Sequence, residues 1–147
     1  MRPSAEVELD GYIKLPSNDY NSLLHAVATK GPVAVAVDAS AWHNYESGIF
    51  NGCNYTANID LDHAVVVTGY GTDDTLGDFW LVRNSWGTGY GENGYIRIAR
   101  ESEVTCGLDS TPHDGSACTS QDAPVKVCGQ CGVLFDTTYP LSTRVVL

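Results

Sequence analysis

Residues 62–86 read DHAVVVTGYGTDDTLGDFWLVRNSW, and the fold is decided in that stretch. Two apolar runs, Ala64–Tyr70 and Phe79–Val82, flank a polar loop, Gly71–Asp78, made of Gly, Thr and Asp with one Leu. Short runs rich in Val, Trp and Phe on both sides of such a loop predict two antiparallel strands. With Tyr70 facing Phe79, antiparallel pairing carries His63 to a point near Trp86, within one or two positions of Asn84. An imidazole, a carboxamide and an indole then meet at one end of a hairpin.

That trio suits one kind of chemistry. A histidine acting as general base needs one ring nitrogen free and the other held by an acceptor, which fixes tautomer and orientation. The side-chain oxygen of Asn84 can be that acceptor, and Trp86 can cover the bond and keep water off it. An amide carries no charge, so it suits a base that must become an imidazolium beside a thiolate. The plainer reading is a strand-end histidine that satisfies a nearby carbonyl; the residues around His63 argue against it.

Asp62-His63-Ala64 before a Val-rich strand ending Gly69-Tyr70-Gly71, then Asn84-Ser85-Trp86-Gly87, then Gly91-Glu92-Asn93-Gly94-Tyr95, resembles the papain-type cysteine peptidases. The likeness also takes in Gly31-Pro32-Val33, Tyr45-Glu46-Ser47-Gly48-Ile49-Phe50 and, near the end, Tyr139-Pro140. It covers most of residues 10–108 and resumes at 131–140, in the family's order. Each fragment is weak by itself; the ordered set is specific. One departure is Tyr90, which stands where many members carry a second tryptophan.

The resemblance implies that His63 is the catalytic base, Asn84 its orienter, and Trp86 a shield that also forms part of the wall on the leaving-group side. It implies an α+β fold: the papain-like right-hand domain, an antiparallel, β-barrel-like sheet with one main helix. It further implies a pocket for the second residue before the cut, with Ala36, Asp62 and Ala64 along it. At the base of that pocket stands Asp136, counted from Cys131, or Thr111, counted from Cys106. With Asp136 there, Arg is tolerated beside apolar residues. A disulfide from Cys53 to the family's closing cysteine is also implied. Cys106 is the favoured partner and Cys131 the alternative, with Cys118 joined to Cys128 or Cys131.

The whole of 1–147 reads as one domain, since 147 residues at 43% hydrophobic composition are enough for one core. A net charge of −10 without a Lys/Arg cluster argues against nucleic acid and anionic membrane as partners. No run approaches the roughly 18 apolar residues of a membrane span. Met1–Glu6 has no apolar stretch of the secretory kind, yet Asn54-Tyr55-Thr56 is a glycosylation sequon and five cysteines are present. These features fit an oxidising route, lysosomal, vacuolar or secreted. They are reconciled if the chain is the later part of a longer precursor.

Along the rest of the chain, a helix is expected after Ser17 or Asn18 as cap, with Tyr20, Leu23, Leu24 and Val27 on one face and Lys30-Gly31-Pro32 closing it. Val33–Val37 and Tyr95–Arg100 read as strands. Ala39–Gly48 reads as a short helix or turn with His43 an exposed polar residue, and His25 lies on the helix surface. Gly87–Gly94 is a turn near the site; it lacks the strand-to-helix context of a phosphate cradle. Cys106-Gly107 and Cys131-Gly132 repeat one pattern, so residues 107–130 are expected to be an inserted, irregular loop rich in cysteine, Ser, Asp, Thr and Pro.

A peptidase of this type also needs a thiolate and an oxyanion hole. No C-G-[SA]-C-[WY] run precedes His63; the one earlier cysteine, Cys53, sits in Asn51-Gly52-Cys53-Asn54. Cys128-Gly129-Gln130-Cys131 comes after the histidine and lacks the following aromatic. Gln121 and Gln130 are in the wrong context for the oxyanion donor. Zinc held by Cys118, Cys128, Cys131 and His113 is possible by ligand type but conflicts with the disulfide pattern, so neither metal nor cofactor is expected. Five cysteines leave one thiol over. The chain therefore reads as half of an endopeptidase site, with a peptide or protein substrate and a separate N-terminal nucleophile domain as partners. The competing function is a non-catalytic peptide- or protein-binding module without a nucleophile.

Overall fold

The central hairpin forms with a tighter turn than its composition suggests. In the computed structural model, which describes residues 6–114 and 123–146, strands β4 (His63–Asp73) and β5 (Gly77–Arg83) enclose only residues 74–76. Asp73 ties that turn itself: its Oδ1 accepts from the amides of Thr75 and Leu76, each at 3.0 Å. Gly71 and Thr72 therefore continue the ladder, opposite Phe79 and Asp78. Tyr70 faces Trp80, one residue from the expected Phe79. A bulge between Val67 and Gly69 absorbs the offset, so that Val67 faces Val82 and Val66 faces Arg83. Towards His63 the register is the expected one.

β2 (Val33–Val37) pairs with β4 on one side, Val37 lying opposite His63. On its other side, β9 (Thr137–Val146) pairs with it and then with β1 (Glu6–Lys14). β6 (Tyr95–Ala99) runs antiparallel to β5 and carries the short β3 (Ile49–Phe50) in parallel on its far side. The order is β1-β9-β2-β4-β5-β6-β3. Among the described residues no ladder joins β1 to β3, so the expected barrel-like sheet is open, and one of its pairings is parallel.

Alternation divides the side chains between two faces. Val33, Val35 and Val37 join Val65, Val67, Trp80, Val82, Ile96 and Ile98 in one core, under Leu23, Ala26 and Val27 of the helix. Each fully buried aliphatic side chain there contributes about 1.5–3 kcal/mol. Ala36 turns the other way, against Ile59, Leu61 and Val127.

The helix, α1, spans Tyr20–Thr29, and its cap is Asp19 rather than Ser17 or Asn18; Asp19 Oδ1 accepts from Ser22 N at 2.9 Å. Asn18 has another task. At φ 62° its Nδ2 donates to Lys126 O at 2.9 Å and its Oδ1 accepts from Cys128 N at 3.0 Å, tying the helix start to the C-terminal region.

Residues 107–130 depart from the expected irregular loop at both ends. β7 (Cys106–Asp109) and β8 (Val125–Cys128) form a second, two-stranded sheet in which Cys106 stands opposite Cys128. These two cysteines are bonded, and Cys53 is bonded to Cys131. The favoured Cys53–Cys106 pairing is thus overturned in favour of its alternative. Ladder opposition brings the Cα atoms of Cys106 and Cys128 to 4.0 Å. Cys131 sits in a 3-10 turn, Gln130–Gly132, with φ 57°, and its carbonyl accepts from Asp38 N, next to the chain that leads to Cys53. Cys118 lies outside the described residues, and both of its suggested partners are bonded elsewhere. The zinc set fails for the same reason.

Candidate active site

His63 opens β4 and Asn84 follows β5, where Asn84 N donates to Gly94 O at 3.0 Å. Between them, His63 Nε2 lies 2.9 Å from Asn84 Oδ1. The backbone settles which amide atom this is: Ser85 N–H, which can only donate, points at the same atom at 2.7 Å. It is therefore the oxygen, and His63 Nε2 carries the hydrogen of that bond. Nδ1 is left with its lone pair for proton transfer.

Asn84 is 4% exposed, and its Nδ2 has no hydrogen-bond partner among the described residues. A polar neighbour, the Tyr90 hydroxyl, is committed to Trp42 O at 3.2 Å. Burial pushes that hydroxyl up to about 12, opposed by its interaction with Asn84.

Aromatic rings enclose the pair. Trp86 stacks on the His63 ring at 5.2 Å and 30°, and the buried Trp42 meets the same imidazole edge-on at 6.4 Å and 89°. Trp42 Nε1 donates to Cys131 Sγ at 3.4 Å, so the disulfide to Cys53 lies directly behind the site. Two further residues belong to the site. Trp42 is a wall of the site, and His43, expected to be merely an exposed polar residue, is exposed but lies flat on Trp86. The adjacent aromatic pair in a polar turn was the available signal, and it does not name its partners.

The turn at residues 87–94 is clamped from outside. Arg97 grips Glu92 through Nε at 2.9 Å and a terminal nitrogen at 2.7 Å, and Glu92 Oε1 also accepts from Gly48 N at 3.0 Å. Arg97 first of all holds the Glu92 carboxyl below its ordinary range. Gly91, at φ 48°, permits the close approach, since a Cβ there would lie 2.6 Å from Tyr95 O.

Three of the four expected pocket residues come together. Ala36, Ala64 and Asp136, with Ala34, Val35 and Thr138, line a cavity of about 170 Å³. Asp62 is not among them; its Oδ1 accepts from Ala39 N at 3.1 Å. Thr111, the alternative to Asp136, is held on the second sheet's side by Asp109 and Asn58. Asp136 is paired with Lys14 Nζ at 3.1 Å. Cys53, Cys106, Cys128 and Cys131 are all in disulfides, so no described cysteine offers a thiol. Gln130 is buried and accepts from Tyr55 Oη at 2.6 Å. No cluster of three or more His, Cys, Asp or Glu among the described residues could hold a metal.

A family model described as papain family cysteine protease matches residues 2–115. A cathepsin L-like protein of Caenorhabditis elegans is 45% identical over 100 residues, covering 67% of this chain and 29% of that protein. Cysteine proteinase COT44 of Brassica napus is 37% identical over 143 residues, covering 96% of this chain and 35% of that protein. The solved bromelain protease from Ananas comosus, in complex with the E64 inhibitor, has a TM-score of 0.67 at 37% identity and covers 90% of this chain and 50% of that one. The chain thus spans about a third of the length of these curated relatives. Likeness of sequence and likeness of fold agree with an oriented imidazole at the head of β4: the chain belongs to the papain family of cysteine proteases.

Proposed function

We propose that this chain supplies the base half of a thiol endopeptidase: His63 as general base and acid, Asn84 as its orienter, Trp86 as shield. One observation carries the reading, the amide oxygen held between Ser85 N and His63 Nε2. The thiol and the oxyanion donors come from a nucleophile-bearing N-terminal domain. In the reaction, His63 Nδ1 takes the thiol proton, and the thiolate attacks the peptide carbonyl. The imidazolium then protonates the departing amine, leaving an acyl-enzyme thioester. His63 finally deprotonates the water that hydrolyses it. The neutral amide follows the changing charge without ever forming a fixed ion pair with the ring.

The partners in this reading are a peptide or protein substrate and the nucleophile domain; the charge of −10 disfavours nucleic acid and anionic membrane. Two disulfides and the exposed sequon at Asn54, whose Oδ1 accepts from Thr56 N at 3.0 Å, support a lysosomal, vacuolar or secreted location with a glycan on Asn54. A second reading, a binding module without turnover, is favoured by the lack of a free thiol among the described residues.

A thiol-directed peptide epoxide separates the two. On the polypeptide that joins this chain to a Cys-Gly-x-Cys-Trp type run, labelling is expected and is lost in His63→Ala. Labelling of this chain by itself would overturn the assignment, and peptide binding without labelling of the joined protein would establish the binding module.

A further inference from the structure

One hydroxyl reaches both groups that bracket His63. Tyr90 Oη gives its hydrogen to Trp42 O at 3.2 Å, and the Trp42 ring meets the imidazole edge-on. The other bracket is Asn84. Its Oδ1 is shared by His63 Nε2 and Ser85 N, while its buried Nδ2 completes no hydrogen bond among the described residues. Burial raises the Tyr90 hydroxyl to about 12, and the Asn84 side chain draws it back down. Only a donor does that, and the donor on that side chain is Nδ2. A phenol that has given its hydrogen away still has lone pairs with which to accept. The backbone keeps the two residues side by side: Gly94 N donates to Tyr90 O at 2.7 Å, and Asn84 N donates to Gly94 O at 3.0 Å. Trp86 meets the half-buried Tyr90 ring edge-on at 4.9 Å and 82° and limits its movement.

We propose that Tyr90 is a positioning residue for proton transfer, its hydroxyl oxygen accepting from Asn84 Nδ2 as His63 becomes an imidazolium. This deepens the reading of His63 as base and Asn84 as orienter and rests on it. In the resting chain the contact is longer than a hydrogen bond. Hydrogen bonds of catalytic groups are often long at rest and tighten as the reaction proceeds. Once the ring carries a full charge, it draws on Asn84 Oδ1. An amide whose N–H is engaged at the same time is more polarised, so its oxygen accepts better. Hydrogens then run one way, from Asn84 Nδ2 to Tyr90 Oη and from Tyr90 Oη to Trp42 O, and both brackets of the imidazole are tied through one atom. The tryptophan that stands here in many members of the family cannot do this. Its indole nitrogen only donates, so it can offer a hydrogen to Trp42 O but nothing to Nδ2.

Two variants test it. Tyr90→Phe keeps the ring against Trp86 and removes the hydroxyl; Tyr90→Trp keeps a donor, removes the acceptor, and is a residue the fold accommodates in many relatives. In the full chain, the Asn84 side-chain NH2 should exchange with solvent about two- to tenfold faster in both variants, the worth of one net hydrogen bond. In the joined enzyme, kcat should fall by the same factor while KM stays, because the bond tightens only as the imidazolium forms. An Asn84 amide that exchanges at an unchanged rate in either variant overturns the proposal. So does full activity in Tyr90→Trp, or a loss confined to KM. The exchange is read without a nucleophile, so its failure is distinguishable from failure of the base assignment, which the labelling of the joined protein decides.

Discussion

Ser85 fixes the orientation of Asn84: its amide donates 2.7 Å to the Oδ1 that faces His63, so the orienting amide cannot flip. Asn84→Ala removes the acceptor from both. The His63 ring is then expected to populate both tautomers, read from its ring nitrogen chemical shifts in the isolated chain. In the joined enzyme, turnover should fall by about 10–100-fold, part of the ~10²–10⁴-fold that general acid–base catalysis supplies. Stability should fall by about 0.5–1.5 kcal/mol, because the part-buried Ser85 amide loses its partner. Unchanged tautomer populations would show that Asn84 does not orient the ring.

Much of this site is legible in the residues, for reasons that also mark the limit. Val33–Val37, the runs around 64–70 and 79–82, and Ile96 and Ile98 are apolar in patterns that only strands use, so the meeting of His63 and Asn84 follows from pairing. The bulge at Thr68 is not legible, because its hydroxyl bonds across to Leu81 O at 3.2 Å and the ladder reads on as if regular. Nor is the choice between Cys106 and Cys131 for Cys53. Both precede glycine, and the difference lies in the ladder that β7 makes with β8. The cap of α1 is not legible either, because Asn18, a good capping residue, is engaged by Lys126 and Cys128, 108 and 110 residues away in sequence. Contacts of that range, like His43 on Trp86, leave no local trace.

The two disulfides should differ in what they hold. Loop closure gives about 4.5 kcal/mol for the bridge separated by 78 residues and about 3.4 kcal/mol for the one separated by 22. Cys131 also takes the hydrogen of buried Trp42 Nε1, which would be stranded without it. Urea unfolding of Cys53→Ala/Cys131→Ala against Cys106→Ala/Cys128→Ala should show the first pair costing at least about 1 kcal/mol more. Because Trp42 touches His63, the first pair should also shift the His63 ring resonances, while the second leaves them in place.

Lys14 governs the charge of the small cavity. Its Nζ lies 3.1 Å from Asp136, with 54% and 28% of the two side chains exposed, so the pair contributes less than about 1 kcal/mol to stability. A consequence for selectivity follows if this cavity takes the second substrate residue before the cut, since Lys14 occupies the carboxylate an incoming Arg would use. Lys14→Ala should raise the preference for Arg over Leu at the second position before the cut by about two- to fivefold, and Asp136→Ala should abolish it. A peptide library on the joined enzyme reads both, and an Arg preference indifferent to Asp136 would remove this cavity from the substrate path.

Asp60 should give stability an acid-favoured component. Burial first, then the charges of Asp109, Asp62, Asp114 and Asp38, raise its carboxyl above the ordinary 3.8. Its Oδ1 is buried without a partner among the described residues, and so is Oδ2 of Asp109. The backbones beside them are joined, Ile59 N donating to Leu108 O at 3.0 Å. A carboxyl that titrates higher in the folded chain than in the unfolded one binds its proton more tightly when folded. Its contribution is therefore fully present below the unfolded value and is lost as pH rises through the folded one. Asp60→Asn mimics the protonated form at every pH. It should raise the urea midpoint at pH 7, and the advantage should shrink as the solution is acidified and close at about pH 3, where both carboxyl states are neutral. An advantage that does not change with pH would assign the gain to packing and not to charge.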